Sequence, residues 1–225
     1  MPGDKPPAEA EGARRRYERD SVEFARVATF SDGMFAIAMT LLVVGIEVPA
    51  IPDTNSVSEL WDEIADLEGS LISFFISFAV IGRYWLAHHE FFGQLKWLDT
   101  PQIGINLIYL CFIAFLPFPT GLLGNFFENP LAFTIYAVSV AVVSGMELVG
   151  FRRAHRKGLL LRPMPEDVYR WGAMLSFSPV VFFLASIPVA FVDSTLAVLV
   201  WLLMFPFQAI ATRWKPEGAD YYLGH

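Results

Sequence analysis

Charged side chains are scarce in this sequence of 225 residues. Asp, Glu, Lys and Arg make up only 17% of it, whereas 55% of the residues are hydrophobic and the mean hydropathy is +0.47. The surface of a soluble domain must be hydrated, and this composition supplies too few polar groups for that. The composition therefore argues against an ordinary soluble domain and predicts a polytopic membrane protein.

Cysteine and histidine are also rare, and this restricts the chemistry. The sequence has one cysteine, Cys111, which lies inside an apolar run. Because a disulfide needs two cysteines, the chain has no disulfide framework. The four histidines include the neighbours His88 and His89, whose side chains point to different faces of a helix. This is too few for an enzyme with several metal-binding histidine motifs, and no nucleophile and base form a recognisable motif. We therefore expect no enzyme activity, no metal site, no cofactor and no nucleic-acid partner.

Long apolar segments are abundant. A helix of roughly 20 apolar residues crosses a hydrocarbon core of about 30 Å. The sequence contains six such segments and no visible internal repeat, which predicts an all-α fold with six transmembrane helices; they lie at about 28–48, 69–92, 102–123, 131–150, 168–191 and 194–212.

The distribution of Lys and Arg predicts the topology. The segments 49–69, 124–130 and 191–195 contain neither residue, whereas the segment 152–170 contains six, and all 16 basic residues can be placed on one side of the membrane. By the positive-inside rule, both termini face the cytoplasm. We expect a multi-pass protein of the plasma or inner membrane of the cell.

Composition also suggests the domain boundaries. Residues 1–20 are rich in Pro, Glu and Arg and predict a disordered cytoplasmic tail. Residues 21–215 form the six-helix membrane domain, and residues 216–225 form a short cytoplasmic tail. The first external loop carries six acidic residues and is predicted to contain a short helix from about Ser56. Prolines predict a kink or an end near Pro117 in the third span and bends in the last two spans.

Polar residues cluster where the first three spans meet the predicted cytoplasmic side. An ionisable group at this depth is costly unless it is paired or lines water, so it is a candidate functional group. The predicted network joins three residues of the first span to two of the second at positions i and i+3 and to one of the third: Arg26, Ser31, Asp32, Trp85, His88 and Asn106. Glu147, near the inner end of the fourth span, is expected to pair with the basic segment that follows it.

The first span also carries a recognisable motif. Arg26, Phe30, Ser31 and Asp32 form the pattern R-x-x-x-F-S-D, which is followed by G-x-F-A-I-A-x-T-L-L. Together with YWxxHH in the second span and NLIYL and LPFPT in the third, it resembles the first-helix signature of the lysosomal potassium channel family and its single-repeat prokaryotic relatives. The resemblance implies a homotetramer whose first helices line a central pore without a TVGYG filter, a motif that this chain lacks.

An apolar stripe runs along the first span. Ile37, Leu41 and Val44 stand at i, i+4 and i+7, with Thr40 beside them. On pattern alone such a stripe is more often a surface for helix packing or lipid contact than the lining of a pore. The family resemblance implies that Ile37, Leu41 and Val44 form the constriction and that Thr40 influences cation preference. Apolar rings close a pore by dewetting, because nothing replaces the hydration that an ion loses there.

The resulting hypothesis is a potassium-permeable cation channel whose partners are monovalent cations, the lipid bilayer and its own copies. External acids, Glu47 and the lack of external basic residues favour cations over anions, whereas the preference for K⁺ is implied by the resemblance. The alternative is a proton-coupled secondary transporter in which Asp32 and His88 titrate. A channel is favoured because we find no ionisable residue at the middle of spans two to six.

Overall fold

The computed structural model describes residues 16–223, and most of them are in α-helices. Six helices or helix pairs in this part of the chain are long and apolar enough to cross a membrane, which confirms the predicted all-α architecture. They are Val22–Val44, Glu68–Gly93, Thr100–Asn125, Pro130–Lys157, Glu166–Ala190 and Ser194–Trp214.

Ten α-helices make up these spans and their connections within residues 16–223. The first half of the chain contains α1 (Val22–Val44), α2 (Val57–Asp66), α3 (Glu68–Gly93), α4 (Thr100–Phe115) and α5 (Pro117–Asn125). The second half contains α6 (Pro130–Lys157), α7 (Glu166–Ala190), α8 (Ser194–Leu202), α9 (Met204–Ala211) and α10 (Ala219–Leu223), with a short 3₁₀ turn at Thr212–Trp214.

The first helix begins and ends earlier than the apolar run predicts. Ser21 caps it, since its hydroxyl accepts a hydrogen bond from the backbone N–H of Phe24 at 3.2 Å, and Glu23 stands in the first turn. The helix therefore includes polar residues that a search for apolar residues leaves out. At the other end Gly45 follows the last turn and Pro49 lies shortly beyond it, which explains the end at Val44.

Two breaks divide the third and sixth spans. The third span breaks at Leu116, where Pro117 begins α5, because proline lacks the N–H that would continue the hydrogen-bond pattern. The sixth breaks at Leu203, three residues before Pro206. The loop helix predicted from Ser56 is α2, which that serine caps. The break in the third span, the break in the sixth and the loop helix agree with the sequence prediction.

The N-terminal segment is more ordered than predicted. A strand β1 (Arg16–Glu18) pairs antiparallel with a strand β2 (Trp97–Asp99), and the guanidinium of Arg19 donates to the carbonyl of Gly93. The prediction of disorder up to residue 20 was therefore wrong for residues 16–20. Composition could not predict a partner strand about 80 residues away in the sequence. Residues 1–15 lie outside the described part of the chain.

The C-terminal segment also packs on the helical domain. Ala219 in α10 is buried, and the carbonyl of Leu223 accepts a hydrogen bond from the side chain of Gln94 at 3.0 Å. The segment predicted as a short cytoplasmic tail at 216–225 is thus in contact with the bundle up to residue 223, and the last two residues lie outside the described range.

Two hydrophobic clusters hold the bundle together. The larger lies within the spans and includes Phe35 of α1 and Tyr136 of α6. The smaller lies at the end of the bundle where β1 and β2 pair, and it includes Leu98 and Trp171. Where a large side chain is buried from water, burial contributes about 1.5 to 3 kcal/mol. Between helices surrounded by lipid, the stabilisation comes from close van der Waals packing.

The candidate pore helix and the polar clusters at its base

The helix α1 has a buried face and an exposed face. It packs against α3, α4 and α5. Its five buried residues recur at spacings of three, four or seven, which places them along one side of the helix; they are Phe24, Ser31, Phe35, Ala38 and Leu42. Met34, Met39, Val27 and Ala28 at the edges of this face are partly buried against the core, whereas the opposite side of α1 is exposed.

The predicted constriction residues lie on the exposed face. Ile37 is 54% exposed, Leu41 44% and Val44 74%. A membrane helix that leaves branched apolar side chains unpacked must cover them with lipid or with another protein surface. Within one subunit, then, the stripe is available for contact with other copies.

The hydroxyl of Thr40 lies beside this stripe and is also exposed. It donates a hydrogen bond to the carbonyl of Ile37 at 2.8 Å. Because the hydroxyl proton is directed into its own helix, the lone pairs of the oxygen remain directed outward. Such an oxygen can accept a hydrogen bond from water or coordinate a cation.

Two motif residues also lie on the exposed side of α1. Phe30 is 51% exposed and stands seven residues before Ile37, and Arg26, likewise exposed, stands eleven residues before it. Intervals of seven and eleven residues are close to two and three helical turns. These two side chains and the stripe therefore point to about the same side of the helix.

Ser31, Asn106 and His88 form a buried hydrogen-bonded chain at the base of α1. The amide nitrogen of Asn106 donates to the Ser31 hydroxyl at 2.9 Å, and its amide oxygen lies 2.9 Å from Nε2 of His88. The oxygen can only accept, so this geometry favours the tautomer with the proton on Nε2. Ser31 in turn donates to the carbonyl of Val27 at 2.9 Å. The chain joins α1, α3 and α4.

The ring of His88 is held by aromatic neighbours as well. It stacks on Phe92 with ring centroids 4.2 Å apart and lies parallel to the ring of Tyr109 at 5.8 Å. Phe35 of α1 packs at 5.4 Å. Stacking and the bond to Asn106 fix the ring, so His88 occupies a packed position in the core.

Asp32 belongs to a second, separate contact. Its Oδ1 accepts a hydrogen bond of 2.9 Å from the indole nitrogen of Trp85 on α3. The single network that the sequence predicts is thus divided in two, and among the described residues Arg26 joins neither part. The physical reason is helical geometry, because Arg26 lies about 140° around α1 from Ser31 at 100° per residue.

Two ionisable residues lie deeper in the spans than the sequence suggested. Arg83 and Glu147 each stand ten residues before the last residue of their helices, α3 and α6, or about 15 Å along the axis. Glu147 accepts a hydrogen bond of 3.4 Å from the hydroxyl of Ser176 on α7. The expected pairing of Glu147 with the basic segment was therefore wrong, as was the expectation that spans two to six carry no ionisable residue near their middle.

Metal binding has no support from the geometry of the described residues. No three His, Cys, Asp or Glu side chains in residues 16–223 come together as a metal site would require. His89 is exposed and lies against Trp85 at 5.8 Å. The two neighbouring histidines thus have unrelated surroundings.

Sequence comparison matches the first three spans to the profile of a known family. The profile of the family described as endosomal/lysosomal potassium channel TMEM175 matches residues 26–117. This range begins at Arg26 and ends at the break in the third span.

Relatives match over about half of the chain. A potassium channel of Streptomyces collinus is 34% identical over 121 residues, which cover 54% of this chain and 57% of the relative. A potassium channel of Chamaesiphon minutus is 36% identical over 127 residues, which cover 54% of this chain and 62% of the relative. The endosomal/lysosomal proton channel TMEM175 of Bos taurus is 36% identical over 97 residues, which cover 41% and 20%. The chain therefore spans about three fifths of the length of these bacterial relatives and a fifth of the bovine protein.

Solved structures share the fold over a longer range. The lysosomal potassium-selective channel TMEM175 homolog from Chamaesiphon minutus superimposes with a TM-score of 0.65 at 28% identity, covering 84% of this chain and 98% of the other. A variant of the potassium channel MtTMEM175, solved with a nanobody fusion, superimposes with a TM-score of 0.60 at 22% identity. The match covers 84% of this chain and 91% of the other, and it shows a similar fold. The profile match over residues 26–117 shows that the first three spans are similar to the TMEM175 family, and the Chamaesiphon minutus structure shows that the six-span fold is similar as well.

Proposed function

We propose that this chain is one subunit of a potassium-permeable cation channel in which copies of α1 surround the pore. The observation that carries the proposal is the exposed stripe of Ile37, Leu41 and Val44 on a helix whose opposite face is packed. The bacterial relatives that match this region are named potassium channels. The proposed assembly is a homotetramer, so each stripe residue would form a ring of four.

The constriction in this proposal is apolar. Four branched side chains at one level narrow the passage and offer no polar atom to replace the water around an ion. Thr40 would then supply the polar atoms nearest the constriction, through the outward lone pairs of its hydroxyl. We propose that Ile37, Leu41 and Val44 limit conduction and that Thr40 biases the choice among monovalent cations.

The base of α1 has a different proposed role. Ser31 and Asp32 each bind a residue of another helix, so the two contacts fix the rotation of α1 about its own axis. A rotation of about 100°, the angle of one residue, would turn the stripe away from the pore axis. These contacts would thus act by positioning the constriction, without touching the ion.

Arg26 and Phe30 would contact a neighbouring subunit. Both are exposed in the single chain and lie on the side of α1 that carries the stripe. An exposed aromatic ring and an arginine are typical anchors of protein interfaces. In the proposed tetramer they would meet the next copy near the predicted cytoplasmic end.

The remaining parts of the proposal concern location and chemistry. The chain is a multi-pass membrane protein, and we place it in the cell membrane with both termini cytoplasmic, as its basic residues predict. We propose that it is not an enzyme and needs no cofactor, with K⁺ as the permeant ion and the bilayer as its surroundings.

Flux through reconstituted protein tests the proposal. Liposomes containing the purified chain, loaded with K⁺ and diluted into K⁺-free medium, should show electrogenic K⁺ efflux that does not require a proton gradient. Protein-free liposomes and liposomes with the Ile37→Trp variant, which fills the constriction, are the controls. Flux that requires coupled proton movement would favour a transporter and overturn the channel proposal.

A further inference from the structure

An open groove lies between α3 and α7, on the side of the subunit away from α1. α3 packs against α1 and α5, whereas α7 packs against α6, α8 and α9, so neither helix closes the space between them. Arg83 in the groove lies two residues before Trp85, which contacts α1, and is therefore about 160° around α3 from it. If α1 lies at the pore axis, as proposed above, the groove is at the periphery of the assembly.

The groove consists of an apolar part and a polar part. The apolar part is a cavity of about 340 Å³ whose walls include Val80, Pro179, Phe183 and Trp201. This volume is within the roughly 300 to 1,000 Å³ of known small-molecule sites. A smaller chamber of about 90 Å³, here called the polar chamber because its lining is more polar than that of the cavity, shares Leu175 and Ser176 with it and extends to Gln94 at the end of α3. An amphiphile with a tail in one part and a polar head in the other matches this shape.

Arg83 and Glu147 line both parts, at the junction between them. Their charges interact electrostatically, yet the two residues do not form an ion pair. Within residues 16–223, the side chain of Arg83 makes no hydrogen bond with another residue. A guanidinium inside a membrane span needs an anionic or polar partner, because exposure to hydrocarbon is costly. The groove thus presents a cationic group that can bind a ligand, with an acceptor carboxyl near it.

We infer that the groove binds a zwitterionic phospholipid with a primary amine, namely a phosphatidylethanolamine. Its phosphate would bind the guanidinium of Arg83, its ammonium would donate to the carboxyl of Glu147, and an acyl chain would fill the apolar cavity. Arginine suits phosphate because its planar donors match two oxygens at once.

The neighbouring acid Glu147 determines which lipid fits. Glu147 lines the polar chamber together with Arg83, so its carboxylate would repel a purely anionic headgroup. A phosphatidylcholine has the same charges as a phosphatidylethanolamine, but its quaternary ammonium has no N–H to donate. The chemistry of the groove therefore favours the lipid with a primary amine over both alternatives.

Native mass spectrometry of the purified protein in detergent tests this inference directly. The protein is titrated with palmitoyl-oleoyl phosphatidylethanolamine, phosphatidylcholine and phosphatidylglycerol in parallel. We expect severalfold greater retention of the phosphatidylethanolamine. Arg83→Gln should remove most retention of all three lipids, and Glu147→Gln should abolish the preference for the ethanolamine headgroup over choline.

Two further variants separate this site from other causes. Ala79→Trp introduces a large side chain from an exposed position of α3 into the apolar cavity and should reduce retention with Arg83 and Glu147 intact. Arg152→Gln removes an exposed arginine from the basic end of α6 and should leave retention unchanged. The inference would be overturned if the wild type retained the three lipids equally. It would also be overturned if Arg83→Gln and Ala79→Trp retained as much phosphatidylethanolamine as the wild type. Because retention is measured without ion flux, this result is independent of whether the protein conducts K⁺.

Discussion

The indole nitrogen of Trp85 donates a 2.9 Å hydrogen bond to Oδ1 of Asp32 and so joins α3 to the candidate pore helix α1. Both residues are exposed, although the depth of Asp32 in its span would make an unpartnered carboxylate costly. The contact therefore satisfies the acid and limits the rotation of α1.

Removal of this contact should destabilise the protein. Asp32→Ala and Trp85→Phe should each lower the free energy of unfolding by about 1 kcal/mol, whereas Asp32→Asn keeps an acceptor oxygen and should cost less. Thermal unfolding in detergent measures the change, and size-exclusion chromatography measures the assembly. Trp61→Phe, at an exposed tryptophan of α2, is the control. A stable Asp32→Ala assembly with altered ion preference alone would contradict the positioning role.

Replacement of Asn106 should have a larger effect. In Asn106→Leu the His88 ring loses its buried hydrogen-bond partner, which costs about 1 to 3 kcal/mol, and Ser31 loses a donor while it keeps its bond to Val27. We expect a clear fall in melting temperature or loss of the folded protein. Asn125→Leu removes only an exposed bond to the carbonyl of Gly121 and serves as the matched control. Equal melting temperatures for the two variants would argue against a stabilising polar chain.

The crossing of α3 and α5 should not tolerate an added methyl group. A Cβ at Gly69 would lie 2.7 Å from the carbonyl oxygen of Gly124, which is a clash with the backbone. Gly69→Ala should therefore separate the helices and lower the melting temperature. Gly121→Ala, also on α5, meets no atom within 4 Å and should be neutral or slightly stabilising. Matching stability of both variants would show that the helices can shift at little cost.

The sequence predicts the large features of this fold because they depend on local composition. Long apolar runs predicted the six spans, Pro117 predicted the break in the third, and Ser56 predicted the start of α2. Each signal depends on residues that lie close together in the chain. Such features need no knowledge of tertiary contacts.

Features that depend on contacts between residues far apart in the sequence were not predicted. The pairing of Arg16 with Asp99 makes a strand of a segment that composition describes as disordered. At the base of α1, the residue types indicated which side chains would matter but could not show that Arg26 points away from Ser31 and its partners. Likewise, the counterpart of Glu147 is Ser176, and only the packing of α6 on α7 reveals it.

Enlarging the proposed constriction should increase conduction. Ile37→Ala removes three carbon atoms from each ring member, which widens and partly hydrates the apolar neck, so we expect a larger single-channel conductance or a higher leak. Planar-bilayer recording of the reconstituted protein measures both. Val43→Ala, at an exposed position about 120° away around α1, is the control and should behave like the wild type. Unchanged currents in Ile37→Ala would remove this residue from the gate.

Cysteine accessibility along α1 tests the central claim most directly. In a Cys111→Ala background, the variants Leu41→Cys, Val44→Cys and Val43→Cys are reconstituted and exposed to Ag⁺, a thiol-reactive cation, while K⁺ current is recorded. If the stripe faces the pore, the first two variants lose current irreversibly and Val43→Cys keeps it. Block of Val43→Cys as fast as that of Leu41→Cys, or block of none of them, would contradict a pore lined by this face of α1.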